Sequence, residues 1–156
     1  MIRGCFVRSS PFLLPVICVH DTFFLVKIKK IDHIALAVQN LSNAKKTFEN
    51  LGLSLGETHE VPHMKVKAAF IKIGESHIEL LESLSPDSAV SKFLQKRGEG
   101  IHHICIEVNN IQKKLDELKK KGFQLINENP VPGAQGKVAF IHPKSCHGVL
   151  VELVEK

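Results

Sequence analysis

Two stretches of this chain alternate apolar and polar residues in the same way, and a helical period follows each. In IDHIALAV, residues 31–38, Ile34, Leu36 and Val38 share one side of a strand and His33, Ala35 and Ala37 share the other, because successive strand side chains point to opposite faces. IHHICIEV, residues 101–108, repeats the arrangement with Ile104, Ile106 and Val108 against His103, Cys105 and Glu107. The apolar side of each strand predicts a helix packed on it. His33 and His103 are therefore expected on the opposite side, facing a concavity in which the small Ala35, Ala37 and Cys105 leave room. His102 aligns with Asp32, in register with the helix-facing side.

LSNAKKTFENLG opens on a Ser or Asn cap and stops at Gly52, and NIQKKLDELKKKG sets Ile111, Leu115 and Leu118 at helical spacing before Gly122. Strand-like segments follow in both places, KVKAAFIKIG and SHIELLE after the first helix, KVAFIH and VLVELVE after the second. Each half reads β-α-β-β-β. His33 and His103 lie 70 residues apart, as do Phe70 and Phe140, whereas Glu79 and Glu152 lie 73 apart. The second copy thus gains three residues, most simply in the turn HPKSCHG. Between the copies, SPDSAVSKFLQKRGEG contains a helix, with Ser85, Pro86 and Asp87 as its start signal, Val90, Phe93 and Leu94 as its apolar face, and Gly98 and Gly100 as its stop. The expected organisation is an α+β domain over residues 30–156, with module one at 31–82, a linker helix within 83–100 and module two at 101–156.

Residues 1–29 differ in character. They carry Arg3, Arg8, paired serines and no acid before Asp21, a composition that suits a mitochondrial transit segment. A secretory signal fits less well, because Pro15 interrupts FLLPVICV and no small-x-small cleavage site follows; a disordered tail is the remaining reading. No apolar run reaches the roughly 18 to 20 residues of a membrane-spanning helix. The 21 Lys+Arg against 16 Asp+Glu give a net charge of +5, spread along the chain. With no Trp or Tyr for base stacking, that charge suits a small anion better than a nucleic acid. Cys5, Cys18, Cys105 and Cys146 form no CxxC pair, so reduced thiols are expected rather than a disulfide framework or a thiolate metal site.

The candidate chemistry rests on the repeat. A single strand histidine is usually a hydrogen-bonded structural residue, and a single Glu in an apolar strand costs several kcal/mol unless paired or metal-bound. Here His33 and His103 recur at equivalent positions, and so do Glu79 and Glu152, each acid interrupting an apolar run. Two imidazoles and two carboxylates suit a divalent ion such as Mn, Co, Ni, Fe(II) or Zn with positions left open. His59, His63, His77, His142 and His147 do not recur and are read as non-ligands.

DHIALAV, IELLE, GEGIHHICIEV and HPKSCHGVLVELVE, set in paired β-α-β-β-β modules, resemble the vicinal oxygen chelate superfamily over about residues 30–156. Within it, DSAVSKFLQKRGEGIHHICIEV and HPKSCHGVLVELVE are similar to the methylmalonyl-CoA epimerase family. The resemblance implies an open, cupped mixed β-sheet barrel around a metal held by His33, Glu79, His103 and Glu152, with Glu152 also a catalytic carboxylate. It implies methylmalonyl-CoA as substrate, proton removal and return at C2, and a homodimer. One departure stands out: Ala68 occupies the position at which some members carry a catalytic glutamate, leaving Glu57 and Glu60 as sequence candidates for a second acid. For the CoA end, Gly133, Gly136, Lys137 and Lys144 are candidates to approach an anion. A lactoylglutathione lyase of the same scaffold and a non-enzymatic small-molecule binding module are the competing readings; an extradiol dioxygenase needs only one carboxylate beside two histidines.

Overall fold

The computed structural model describes residues 26–156, so residues 1–25 of the expected transit segment lie outside the described residues. In chain order the elements are β1 (Ile28–Val38), α1 (Leu41–Asn50), β2 (Leu55–Val61), β3 (Val66–Ile73), β4 (Ser76–Ser83), α2 (Ala89–Arg97), β5 (Gly100–Val108), α3 (Ile111–Lys120), β6 (Val131–Pro132), β7 (Lys137–Ile141) and β8 (Val151–Glu155). β1 reaches back to Ile28, into the segment assigned to the N-terminal extension, because Ile28 pairs with Val108 and Lys30 with Glu107.

All eight strands join one curled, half-barrel sheet in the order β2-β3-β4-β1-β5-β8-β7-β6. The order reads as two copies meeting at β1 and β5, which run antiparallel with Ile34 opposite Ile104. Outward from that seam, β1 pairs with β4 in parallel, as β5 does with β8, and each closing strand pairs antiparallel with the strand before it. Equivalent residues of the two modules are thus related by a pseudo-two-fold axis through the β1/β5 seam. The register confirms the change of offset: Phe70 lies opposite Glu79 and Phe140 opposite Glu152, so the extra residues enter after Phe140, where Pro143–Ser145 form a short 3₁₀ turn.

The convex side is covered as the alternation requires. Leu36 and Val38 pack with Ile78, Leu80 and Ala69 around Leu41, Ala44 and Phe48 of α1, and Ile106 and Val108 pack around Ile111, Leu115 and Leu118 of α3. Each fully buried Leu or Ile there contributes about 1.5–3 kcal/mol. The caps sit at Asn40 and Asn110, whose side chains accept from the Asn43 and Lys113 amides. For α1 this is one residue ahead of LSN, where the sequence pattern set the cap.

Two expectations about the concave side change. α2 starts after Ser88, whose hydroxyl accepts from the Ser91 amide, and not at Ser85–Asp87. Its Val90, Phe93 and Leu94 pack over Ala35 and Ala37, so those alanines make room for a helix rather than for a ligand. Cys105 is likewise filled in, buried against Val138 and Val154.

Candidate metal centre

Each half supplies a histidine, a glutamate and a phenylalanine to the floor of the concave side. His33 on β1 and His103 on β5 point their Nε2 atoms at each other, 3.2 Å apart. Glu79 Oε2 lies 3.3 Å from His33 Nε2 and 3.7 Å from His103 Nε2; Glu152 Oε2 lies 3.6 and 2.6 Å from the same atoms. All four side chains are buried. Phe70 stands edge-on to His33 with ring centres 6.0 Å apart, and Phe140 to His103 at 5.7 Å, walling the cluster on both sides.

The strand register explains how these groups are aimed. Between the pairs Ile31–Ile106 and His33–Cys105, β1 spends an extra residue, Asp32; between Ala35–His103 and Leu36–Ile101, β5 spends an extra residue, His102. These are β-bulges, which re-aim a side chain. Each lets the residue before a ligand histidine turn to the same side as the ligand. Asp32 Oδ2 lies 3.0 Å from His33 Nδ1, and His102 Nδ1 lies 2.9 Å from His103 Nδ1. His102 therefore lies on the cavity side, against Phe93 of α2, and not on the helix-facing side where simple alternation put it.

His102, expected as a positioning or packing neighbour of His103, does contact it, whereas Asp32 and the two phenylalanine walls are not among the residues expected at the site. The signal was available: positions 32 and 102 are repeat equivalents, both polar, both directly before a ligand histidine.

The electrostatics favour positive charge at the centre. His33 is pushed up to about 12: burial opposes the cation, but Asp32 above all, then Cys105, Glu152 and the charge of Glu79, outweigh it. Asp32 is held below the ordinary carboxylate range, burial being outweighed by hydrogen bonds from His33 and Lys156. Burial raises Glu79, against the pull of His33 and His103. Glu152 falls to about 2 because hydrogen bonds from His103 and His33 overcome burial. His102 drops to about 4 through burial, then through the charge of His103. The carboxylates around the two histidines supply the negative charge with which such a cluster could hold a cation.

The donors fit a divalent metal. An ion with bonds of about 2.0–2.1 Å places neighbouring donors roughly 3.0–3.4 Å apart, the range of the 3.2 Å His33–His103 and 3.3 Å His33–Glu79 separations. Asp32 and His102 engage the Nδ1 atoms of His33 and His103, leaving both Nε2 atoms free to face an ion, and a carboxylate behind an imidazole, as at His33, is a common backing for a metal-binding histidine. Asp32, His33 and Cys105 also cluster, but His33 Nδ1 is already engaged and burial pushes the Cys105 thiol up to about 12, which disfavours the thiolate a metal requires.

The floor opens into a cavity of about 510 Å³. Its upper walls are largely apolar, including Val61, Met64, Val131 and Leu150, with the Gly133–Gln135 turn at the lip. Of the anion-contact candidates, Gly133 lines the cavity; Gly136, Lys137 and Lys144 do not. Glu57 and Glu60 are exposed on β2 and also lie outside it. Ala68 is buried in the apolar cluster under α2.

Residues 32–140 match the family model described as the Glyoxalase/Bleomycin resistance protein/Dioxygenase superfamily. The chain is 43% identical over 127 residues to the mitochondrial methylmalonyl-CoA epimerase of Homo sapiens, covering 80% of this chain and 72% of that protein. It is 40% identical over 130 residues to the ethylmalonyl-CoA/methylmalonyl-CoA epimerase of Cereibacter sphaeroides, covering 81% and 97%. Among solved structures, a Streptomyces coelicolor methylmalonyl-CoA epimerase variant in complex with 2-nitronate-propionyl-CoA superposes with a TM-score of 0.80 at 34% identity, covering 83% of this chain and 96% of that one. The chain belongs to the methylmalonyl-CoA epimerase family of the Glyoxalase/Bleomycin resistance protein/Dioxygenase superfamily.

Proposed function

We propose that this protein is a methylmalonyl-CoA epimerase that interconverts the (2R) and (2S) forms of its substrate by proton removal and return at C2. The observation that carries the proposal is the meeting of His33, Glu79, His103 and Glu152 on the floor of an otherwise apolar cavity, in a chain whose relatives bear that name. His33, Glu79, His103 and Glu152 would hold a divalent ion, which when bound would supply positive charge to offset the negative charge that develops as C2 loses its proton.

The chain's own groups move the protons. Epimerisation takes a proton from one face of C2 and delivers one to the other, which calls for an acid/base group on each side. Glu152 is one. The pseudo-two-fold axis makes Glu79 its counterpart, since β4 and β8 flank the β1/β5 seam on opposite sides. Ala68 cannot act, Glu57 and Glu60 lie outside the cavity, and Asp32 is committed to His33 and Lys156. A carboxylate has two oxygens, so a glutamate that would help hold the ion keeps a second oxygen for taking or returning a proton. Phe70 and Phe140 set apolar rings beside the two histidines.

Metal-loaded protein in D₂O should place deuterium at C2 of methylmalonyl-CoA, read by mass spectrometry. No exchange there, together with turnover of the hemithioacetal of methylglyoxal and glutathione, would convert the assignment to a lactoylglutathione lyase. Mitochondrial targeting is proposed on the composition of residues 1–29 and the mitochondrial human relative, and import of a full-length fusion into isolated mitochondria tests it. A homodimer is proposed on the family resemblance, and sedimentation tests that.

A further inference from the structure

We propose that Lys156 is a positioning residue for the metal centre, fixing the Asp32–His33 pair by its charge and tethering the cavity's Gly133–Gly136 turn to it. The proposal rests on the reading of the four donors as a metal site. Lys156 Nζ lies 2.7 Å from Asp32 Oδ1, while Asp32 Oδ2 lies 3.0 Å from His33 Nδ1. Asp32 Oδ2 thus meets the imidazole, while buried Oδ1, which has no hydrogen bond of good geometry, has the Lys156 ammonium as its ion-pair partner. The same ammonium donates to Gln135 Oε1 at 2.9 Å, and Gln135 lines the cavity.

Two physical arguments assign a role to this chain of contacts. The first is charge. Asp32, Glu79 and Glu152 place three carboxylates in a buried floor, and a divalent ion offsets only two of them; the Lys156 ammonium offsets the third. Without the ammonium, Asp32 would be a buried carboxylate with one oxygen uncompensated, able to turn away or take up a proton, so the contact that orients His33 is held best when Lys156 is present. The second is mechanical. The turn is already seated against the end of β8: the Gly133 amide donates to Gly136 O at 2.7 Å, and a Cβ on Gly136 would meet the Glu155 carbonyl oxygen at 2.4 Å. Lys156, the next residue, adds a side-chain tie from the lip of the cavity to the metal ligand's partner. In module two the residue behind the ligand is His102, packed on Phe93, so this charged tie belongs to the His33 side.

The test titrates metal-free protein with Co(II) by calorimetry and follows the cobalt visible absorption and the amide hydrogen exchange of residues 131–137. The full chain is compared with Lys156→Met, Lys156→Arg, Gln135→Ala and the exposed control Lys46→Met. Lys156→Met should weaken Co(II) binding by about 10–100-fold, the range for loss of an outer-shell partner, and alter the cobalt spectrum; Lys156→Arg should recover most of the affinity. Protection gained by residues 131–137 when Co(II) binds should disappear in Lys156→Met and in Gln135→Ala. Co(II) affinity and spectrum unchanged in Lys156→Met, or an equal loss in Lys46→Met, overturns the proposal while leaving the metal site standing. Failure of the unsubstituted protein to bind Co(II) at all removes the metal reading and this one with it. Melting curves of the metal-free variants separate these outcomes from a folding defect.

Discussion

His33 and His103 are donors of one kind held in two different ways. His33 leans on a buried carboxylate that is itself tied to an ammonium, whereas His103 leans on the ring of His102, which packs on Phe93. The repeat copied the donor, the bulge that aims it and the aromatic wall beside it, yet the group behind the donor is charged in one half and aromatic in the other. A carboxylate behind an imidazole raises its basicity and fixes its tautomer; a neutral ring fixes the orientation but adds no negative charge. The cluster is symmetric in its histidines, glutamates and phenylalanines, and asymmetric in the charge that backs each histidine.

The largest effect tests the symmetric part. Glu79→Gln and Glu152→Gln should each reduce epimerisation by about 10²–10⁴, the usual worth of a positioned acid/base group. Each should retain solvent exchange into one epimer only, and the surviving epimers should be opposite. Deuterium incorporation starting separately from the (2R) and (2S) esters measures this. Loss of exchange from both epimers in Glu152→Gln, with none lost in Glu79→Gln, would leave Glu79 as a ligand alone.

A smaller effect tests the asymmetric part. Asp32→Ala should weaken Co(II) binding by about 10–100-fold, and His102→Phe, which keeps a ring against Phe93, by less than about tenfold. Competition with a chromophoric chelator reads both. Equal losses would mean that the two backings act through packing alone.

The same asymmetry sets a pH dependence. Without metal, folded His33 holds its proton to about 12 against an ordinary 6.5, so its protonation stabilises the fold fully below about 6.5 and that contribution drains away as pH rises towards 12. The metal must displace this proton. Apparent Co(II) affinity should therefore tighten by about tenfold per pH unit between pH 7 and 9, where one proton is released per ion. Asp32→Asn, which removes the main cause of the raised value, should flatten that slope.

These tests rest on features that were unequally legible in the sequence. Strand alternation located His33 and His103, and the repeat added Glu79 and Glu152, because a residue that breaks an apolar run twice at equivalent places is visible without coordinates. The structure brings those four together. Period-two reasoning failed at Asp32 and His102 because a bulge gives one strand an extra residue and reverses the side on which the next side chain falls; nothing in IDHI or IHHI marks that extra residue. Ala35 and Ala37 were misread as open space for a related reason. Small side chains tell of close approach, but whether a ligand or α2 makes the approach depends on where the linker helix docks. Lys156 was out of reach altogether, since its contact with Asp32 joins residues 124 apart.

The smallest expected effect returns to the repeat's second pair of acids. Glu79 and Glu82 are three apart in one strand, as are Glu152 and Glu155 in the other, so within each pair the two carboxylates point to opposite faces. Glu79 and Glu152 enter the cavity, whereas Glu82 accepts from the Leu41 amide at 3.2 Å and Glu155 from the Ile111 amide at 2.9 Å, each at the start of a helix. A carboxylate there satisfies an orphan amide and faces the positive end of the helix dipole. Glu82→Ala and Glu155→Ala should each cost about 0.5–1.5 kcal/mol, a fall in Tm of a few degrees for a chain of this size, with the shorter Glu155 bond at the upper end. Solvent exchange at C2 should be unchanged in both. A Glu155 variant that kept its Tm but lost exchange would move that carboxylate from the helix start to the chemistry, and would break the division of labour between the two faces of β8.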